Sequence, residues 1–301
     1  MVPKPFHLLT DFDGVWTEPD RELDAVRKTL VSELARLAGC PPEEAAGFVE
    51  DLAARVRRQP ARFGWRVEGR LTSFVDEDTF CLPAAVGHLL ETDPDEACAR
   101  FRNSVVSEYP SVGSFLDECY QGTCARFRRE VDHDLTPGAS SILSWLLERG
   151  VTVTFVTNAP LDKVSGWLAS GGFEVTDGRG TAPAEAPLRA IGRAGKQWLD
   201  RPGRRLEFSG RPVEVERPSY REILERERPD MLVGDVFSLD LAQPLALRLD
   251  GRPGAPASIG LLRRRDTPDW VLASVGPGPG RIDFCIPHIT ALPRILAGHG
   301  I

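Results

Sequence analysis

Three short apolar runs in this chain each break off at a polar pair, and the runs lie far apart in sequence. Residues 6–10 lead into Asp11-Phe12-Asp13-Gly14, and 151–156, all β-branched or aromatic, lead into Thr157-Asn158. Residues 230–233 lead into Gly234-Asp235, with Asp240 close behind. A compact apolar run bounded by turn residues reads as a buried strand. Between and after these runs the pattern turns helical. Pro137-Gly138 opens a helix through Arg149, residues 161–169 follow as a helix capped by Gly171-Gly172, and 220–226 and 289–296 add two more. Short strands are expected at 173–176, 258–262 and 270–275. The Gly/Pro/Arg-rich stretch 178–212 resists placement, with helix allowed within 184–199. Strands alternating with helices imply a mostly parallel sheet, so the expected architecture is α/β. In open sheets of that kind the carboxyl ends of the strands line the ligand crevice.

A long stretch interrupts this alternation. Leu23, Val26, Leu30, Leu34 and Leu37 recur at helical spacing until Gly39, and further helices fit 42–58, 83–91, 94–107 with Asp93 as cap, and 111–129. Residues 59–82 are irregular. Almost no β-patterned run occurs between Arg21 and Asp132. The expected organisation is therefore an α/β core over 1–17 and 135–301 with an inserted helical domain over 18–134.

Composition narrows the function classes. The chain has 301 residues and a formal net charge of −7, which argues against nucleic acid as a partner because phosphate-backbone affinity needs a basic face. No apolar run reaches membrane-spanning length. The start of the chain has no charged segment followed by an apolar one, so no signal peptide and a cytoplasmic location are expected. The six cysteines form no CxxC pair and have no histidine at zinc spacing, which reads as reduced, mostly buried thiols.

Asp11, Asp13, Asp235 and Asp240 would converge at the strand ends. Four carboxylates in one crevice repel unless a cation neutralises them, and an all-oxygen set points to Mg²⁺. A cation beside a carboxylate nucleophile is a known route for phosphoryl transfer through an aspartyl-phosphate.

These segments resemble the haloacid dehalogenase superfamily. Asp11-Phe12-Asp13-Gly14-Val15-Trp16-Thr17 is similar to its first motif, Val156-Thr157-Asn158 to its second, and Gly234-Asp235 with Asp240 to its fourth. The likeness covers residues 4–17 and 134–296, and the helical block stands where the family inserts its α-helical cap. The resemblance implies a Rossmann-like core and a Mg²⁺-dependent phosphatase acting on a small phosphorylated metabolite. Asp11 would be the nucleophile. Asp13 would protonate the leaving oxygen and then activate water, and its presence separates phosphatases from the dehalogenase branch. Thr157, Asn158 and Gly14 would hold phosphate oxygens. Asp11, the Asp13 carbonyl, Asp235 and Asp240 would hold or support the metal.

The family also places a cation, usually lysine, near the nucleophile. Arg217, followed by Pro218 and a helix leading to the Asp235 strand, has the local context. Of the four lysines, Lys4 is terminal, Lys28 lies in the helical block and Lys163 lies in the helix after the second motif. That leaves Lys196, which has the compact charge. Both Arg217 and Lys196 stand as candidates. No role is assigned to His88 or His133, and Arg62, Trp65 and Arg66 are read as packing residues. The Arg263-Arg264-Arg265 run is read as a solvated turn, and the glycines near Gly192 and Gly195 do not make a dinucleotide fingerprint. A phosphomutase or other phosphotransferase of the same fold, and a non-catalytic phosphometabolite-binding protein, remain as alternative readings.

Overall fold

The computed structural model describes residues 5–131, 133–183, 185–201 and 203–301. Lys4, and Ala184 at the head of the expected 184–199 helix, lie outside the described residues. The chain divides into two compact units, Met1–Glu18 with His133–Ile301, and Pro19–Asp132.

The first unit begins with β1 (His7–Thr10), buried along its whole length. The chain then leaves for the second unit. There α1 (Asp20–Ala38) stops at Gly39, whose left-handed φ of 60° ends the helix without a Cβ penalty. Next come α2 (Pro42–Arg57), a two-residue hairpin of β2 (Arg66–Val67) and β3 (Arg70–Leu71), α3 (Leu82–Thr92), α4 (Glu96–Val106) and α5 (Val112–Glu130). The leucine stripe of α1 packs with Val49, Leu52, Phe101, Val105 and Phe115 into one core, and Phe48 stacks on Phe101 at 4.1 Å. Asp95, not Asp93, caps α4 by accepting from the Ala97 amide. Asp93 accepts instead from the Asp95 amide and pairs with Arg55.

After the return to the first unit come α6 (Ala139–Glu148), β4 (Thr152–Val156), α7 (Leu161–Ser170), β5 (Thr176–Asp177), β6 (Leu188–Ile191), β7 (Arg205–Phe208) and β8 (Arg211–Glu214). Then follow α8 (Pro218–Glu227), β9 (Met231–Gly234), α9 (Ala242–Leu249), β10 (Ser258–Leu262), α10 (Asp269–Leu272), β11 (Phe284–Ile286) and α11 (Leu292–Ala297). Seven strands form one sheet in the order β11-β10-β9-β1-β4-β6-β5, with every pairing parallel. The expected α/β class is what the chain adopts. Buried along their whole length, the inner strands β10, β9, β1, β4 and β6 need the continuous apolar runs seen in the sequence.

The register fixes the crevice. Thr10 pairs with Phe155 on one side and Val233 on the other, so β1, β4 and β9 end side by side. Asp11, Thr157 and Asp235 leave the sheet from adjacent strands.

Several local expectations are corrected. Residues 270–275 are not a strand: Pro268 starts the four-residue α10, and the edge strand is β11 instead. The strand expected at 173–176 shrinks to β5. No helix forms over the described part of 184–199, where β6 runs. A helix, α9, follows Asp240 where none was expected. The unplaced Gly/Pro/Arg stretch contains the β7–β8 hairpin, whose turn residues Ser209 and Gly210 have φ of 49° and 80°, as a two-residue hairpin turn of right-handed twist requires. These are short or polar segments, for which periodicity is weakest.

Candidate active site

The loop after β1 is built by alternation. Phe12, Val15 and Trp16 are buried, and the Phe12 and Trp16 rings meet Phe155 of β4 edge-on at 5.5 and 5.4 Å. The Trp16 indole donates to Thr10 Oγ1 at 3.0 Å, and the Asp11 amide donates to the Val233 carbonyl at 2.9 Å. Anchored in this way, the loop projects Asp11 and Asp13. Gly14 adopts φ of 79°, and a Cβ there would lie 2.1 Å from Asp235 Oδ2. Only glycine permits that approach.

Asp11, Asp235 and Asp240 each bring a carboxylate oxygen within 4.8 Å of the others. Lys196 enters the same cluster: its ammonium lies 2.5 Å from Asp11 Oδ1 and 2.7 Å from Asp240 Oδ1. Tyr220 supports both residues, its ring centroid 5.6 Å from Lys196 Nζ and its hydroxyl donating to the Asp240 carbonyl at 2.9 Å. The second oxygen of Asp240 accepts from the Val236 amide at 3.0 Å. Asp240 therefore ties the wide turn at Phe237–Leu241 to Lys196, with Gly234 leaving room for its Cβ.

Burial pushes the Asp11 carboxyl well above the usual carboxylate range, Lys196 opposes this, and Asp240 and Asp235 add to it. At Lys196 burial works against the charge, but Asp11 and Asp240 outweigh it and hold the ammonium above the ordinary lysine range. The three carboxylates outnumber by one the two cations that meet them, Lys196 and Arg264. An all-carboxylate donor set with surplus negative charge suits a hard divalent cation, so the residues present fit Mg²⁺.

The second motif does two jobs. Thr157 Oγ1 accepts from the Ala159 amide at 3.1 Å, and the Asn158 side chain accepts the Lys196 amide at 2.9 Å. The Thr157 carbonyl takes the Ala194 amide at 2.9 Å. These bonds lace the turn after β4 to the loop after β6 and so aim Lys196.

The two candidate cations take different places. Lys196 meets the carboxylates. Arg217, fully buried, donates from Nη1 to the Lys196 carbonyl and from Nη2 to the Glu214 carbonyl at 3.2 Å, while its amide donates to Gln243 Oε1 at 2.7 Å. Its guanidinium braces the Lys196 loop from behind.

Two cations set aside in the sequence stand at the site. Lys163, its side chain 6% exposed, places its ammonium 2.9 Å from Asp13 Oδ1. Arg264 donates from Nη1 to Asp235 Oδ2 at 3.2 Å, so the arginine run after β10 is not simply a solvated turn. The signal for both was available. Arg264 directly follows a strand of the sheet, and Lys163 lies in the first turn of the helix after β4, where strand-end geometry puts side chains into the crevice.

No protein-family model matches the chain, and no curated protein does. Solved structures that resemble it include a HAD phosphatase from Thermococcus onnurineus, at 16% identity over 97% of this chain and 98% of that one, with a TM-score of 0.46. A HAD-hydrolase, YfnB from Bacillus subtilis, described as bound to magnesium, matches at 12% identity over 98% and 100% of the two chains, with a TM-score of 0.45. A 2-haloacid dehalogenase from Pseudomonas syringae pv. Tomato DC3000 matches at 15% identity over 98% and 100%, with a TM-score of 0.44. The parallel order of the sheet, the helical insertion after β1 and the carboxylates at the ends of β1 and β9 decide the architecture. The fold is a parallel α/β sheet with a helical insertion after its first strand. Identities this low and superpositions this loose decide neither family nor activity. Chemistry has to be read from the side chains of the site.

Proposed function

We propose that the chain is a phosphohydrolase that removes the phosphoryl group from a small phosphorylated metabolite through an aspartyl-phosphate. The observation that carries this reading is the division of labour between two carboxylates two residues apart. Asp11 lies inside the acidic cluster against Lys196, whereas Asp13 is held outside it by Lys163 and Thr17.

In the first step an Asp11 carboxylate oxygen attacks phosphorus, the ester P–O bond breaks, and the Asp13 proton passes to the leaving oxygen. In the second, water attacks the same phosphorus and gives a proton to Asp13. The P–O bond to Asp11 then breaks, releasing phosphate and restoring the nucleophile. Lys196 offsets negative charge beside Asp11, where preorganised electrostatics are worth most. Asp11 and Asp235, with the Asp13 carbonyl, would hold Mg²⁺, and Asp240 would support it. Bound there, the cation supplies charge neutralisation for phosphoryl oxygens. Thr157 and the backbone near Asn158 and Gly14 would receive the phosphate, and the helical unit would act as a cap that sets substrate selectivity.

Two carboxylates favour phosphate-ester hydrolysis over dehalogenation, which has no leaving oxygen to protonate. The test is release of inorganic phosphate from a panel of sugar phosphates with Mg²⁺ and no bisphosphate activator. Release supports the hydrolase. Transfer to sugar only, or halide release from a 2-haloacid without phosphate release, overturns it.

A further inference from the structure

Lys163 is a buried cation with a defined target. It occupies the third position of α7, and its ammonium reaches Asp13 Oδ1 at 2.9 Å. Thr17 Oγ1 donates to the same oxygen at 3.2 Å. One helical turn on, Trp167 lies with its ring centroid 5.5 Å from the Lys163 ammonium. That ring is itself fixed, stacked on His133 at 4.0 Å with an interplanar angle of 16°.

We infer that Lys163 is a positioning residue for Asp13, pinning one carboxyl oxygen so that the other is presented to the leaving oxygen and then to water. The inference rests on the phosphohydrolase reading. Its physical basis is geometric. Asp13 stands on an exposed-side turn just before Gly14, with 19% of its side chain accessible, and a carboxyl there has more than one staggered arrangement. Two donors converging on Oδ1 select one of them. Both contacts fall on Oδ1, and Oδ2 has no hydrogen-bond partner among the described residues, so Oδ2 is the oxygen left open for proton transfer. Burying a lysine is costly unless its charge is used, and a long side chain loses rotamer freedom when fixed. The Trp167 ring, stacked on His133, faces the Lys163 ammonium and gives its charge a second favourable contact.

The experiment compares wild type, Lys163→Met and Lys163→Arg on 4-nitrophenyl phosphate, a series of less acidic phenyl phosphates, and β-glycerophosphate, all with Mg²⁺. A nitrophenolate leaves without a proton, whereas an alkoxide needs one from Asp13. Lys163→Met should keep KM within about threefold and lose roughly 10- to 100-fold in kcat on β-glycerophosphate, the range expected when a catalytic group is misplaced by about an ångström. The loss should shrink steadily as the leaving group becomes more acidic, and Lys163→Arg should recover part of it. A loss equal across all leaving groups, a change in KM instead of kcat, or no change overturns the inference. Should Lys163→Met fail to fold, Thr17→Val removes the other donor to Oδ1 and should show the same skew, smaller. No skew there overturns it too. A wild-type protein inert on every ester overturns the phosphohydrolase reading itself, an outcome distinct from an active wild type with an indifferent variant.

Discussion

Arg217 donates its guanidinium to the main-chain carbonyl of Lys196, the residue whose ammonium meets Asp11 Oδ1 at 2.5 Å. One cation thus faces the chemistry and the other holds its loop. Lys196→Met should remove charge compensation at the nucleophile and cost on the order of 10²-fold or more in kcat. Arg217→Met should cost stability first, because it strips buried carbonyls of their donor at about 1–3 kcal/mol each. Its kcat should fall less than that of Lys196→Met. Steady-state kinetics and thermal unfolding on both variants check the order, and the reverse order would exchange the two roles.

Asp11→Asn should abolish turnover, since an amide is a poor nucleophile and removes a carboxylate from the cluster. Chelation by EDTA should silence the wild-type protein, with Mg²⁺ restoring activity and Zn²⁺ doing so poorly. Full phosphate release from a metal-stripped sample would take the cation out of the account.

Gly14→Ala tests the close approach of the first and fourth motifs. The new Cβ would sit 2.1 Å from Asp235 Oδ2 and 3.0 Å from Arg264 Nη1, at a φ of 79° that alanine resists. The expected outcome is a folded protein destabilised by about 1–3 kcal/mol and weakened in Mg²⁺ binding. Calorimetric titration of Mg²⁺ reads the second effect without reference to turnover, and unaltered affinity would mean that Asp235 is not a ligand.

Much of this was legible because parallel sheets couple sequence position to site position. Asp11, Thr157 and Asp235 follow buried runs of clear β character, and the fold class followed from the alternation of strand and helix. The cation near Asp11 was not legible to a single residue. Lys196 and Arg217 are separated by the β7–β8 hairpin, whose polar strands carry little periodicity, so only the folded chain shows which one faces the nucleophile. Lys163 and Arg264 were missed for a different reason. Each is an ordinary charged residue in a helix or an arginine run, and what makes it special is a partner about 150 or 30 residues away in sequence. Trp270 misled because four apolar residues fit a strand or a single helical turn equally well.

Cys119 offers a pH test in the helical unit. Burial, with Glu33 and Glu118 adding to it, pushes its thiol up to about 12 from the ordinary 9.0. The folded state then holds a proton that the unfolded chain gives up above pH 9, so stability should fall as pH rises through that window, by up to about 1.4 kcal/mol per pH unit from this one group. Cys119→Ala should flatten that part of the decline. Unfolding midpoints between pH 8 and 12 measure it, and identical slopes in the two proteins would remove Cys119 as the cause.

Arg189 and Glu227 form an ion pair buried within the core unit, and its neighbours make the two partners unequal. Arg189 also donates to Thr154 Oγ1 at 2.6 Å and to the Thr181 carbonyl at 2.8 Å. Glu227 keeps a second cation, Arg226, at 2.9 Å, and its carbonyl meets the His7 ring at 3.1 Å. Removing one member of a buried pair costs about 3–5 kcal/mol because the other charge is left in low dielectric. Glu227→Gln leaves the Arg189 guanidinium, fully buried, without a counter-charge from that residue. Arg189→Met leaves Glu227 with Arg226 still beside it. Glu227→Gln should therefore be the more damaging, lowering the unfolding temperature by roughly 10 °C for a unit of this size. The double variant Arg189→Met/Glu227→Gln should lose less than the sum of the singles, since neither leaves a stranded charge. Strict additivity would show that the pair is not coupled.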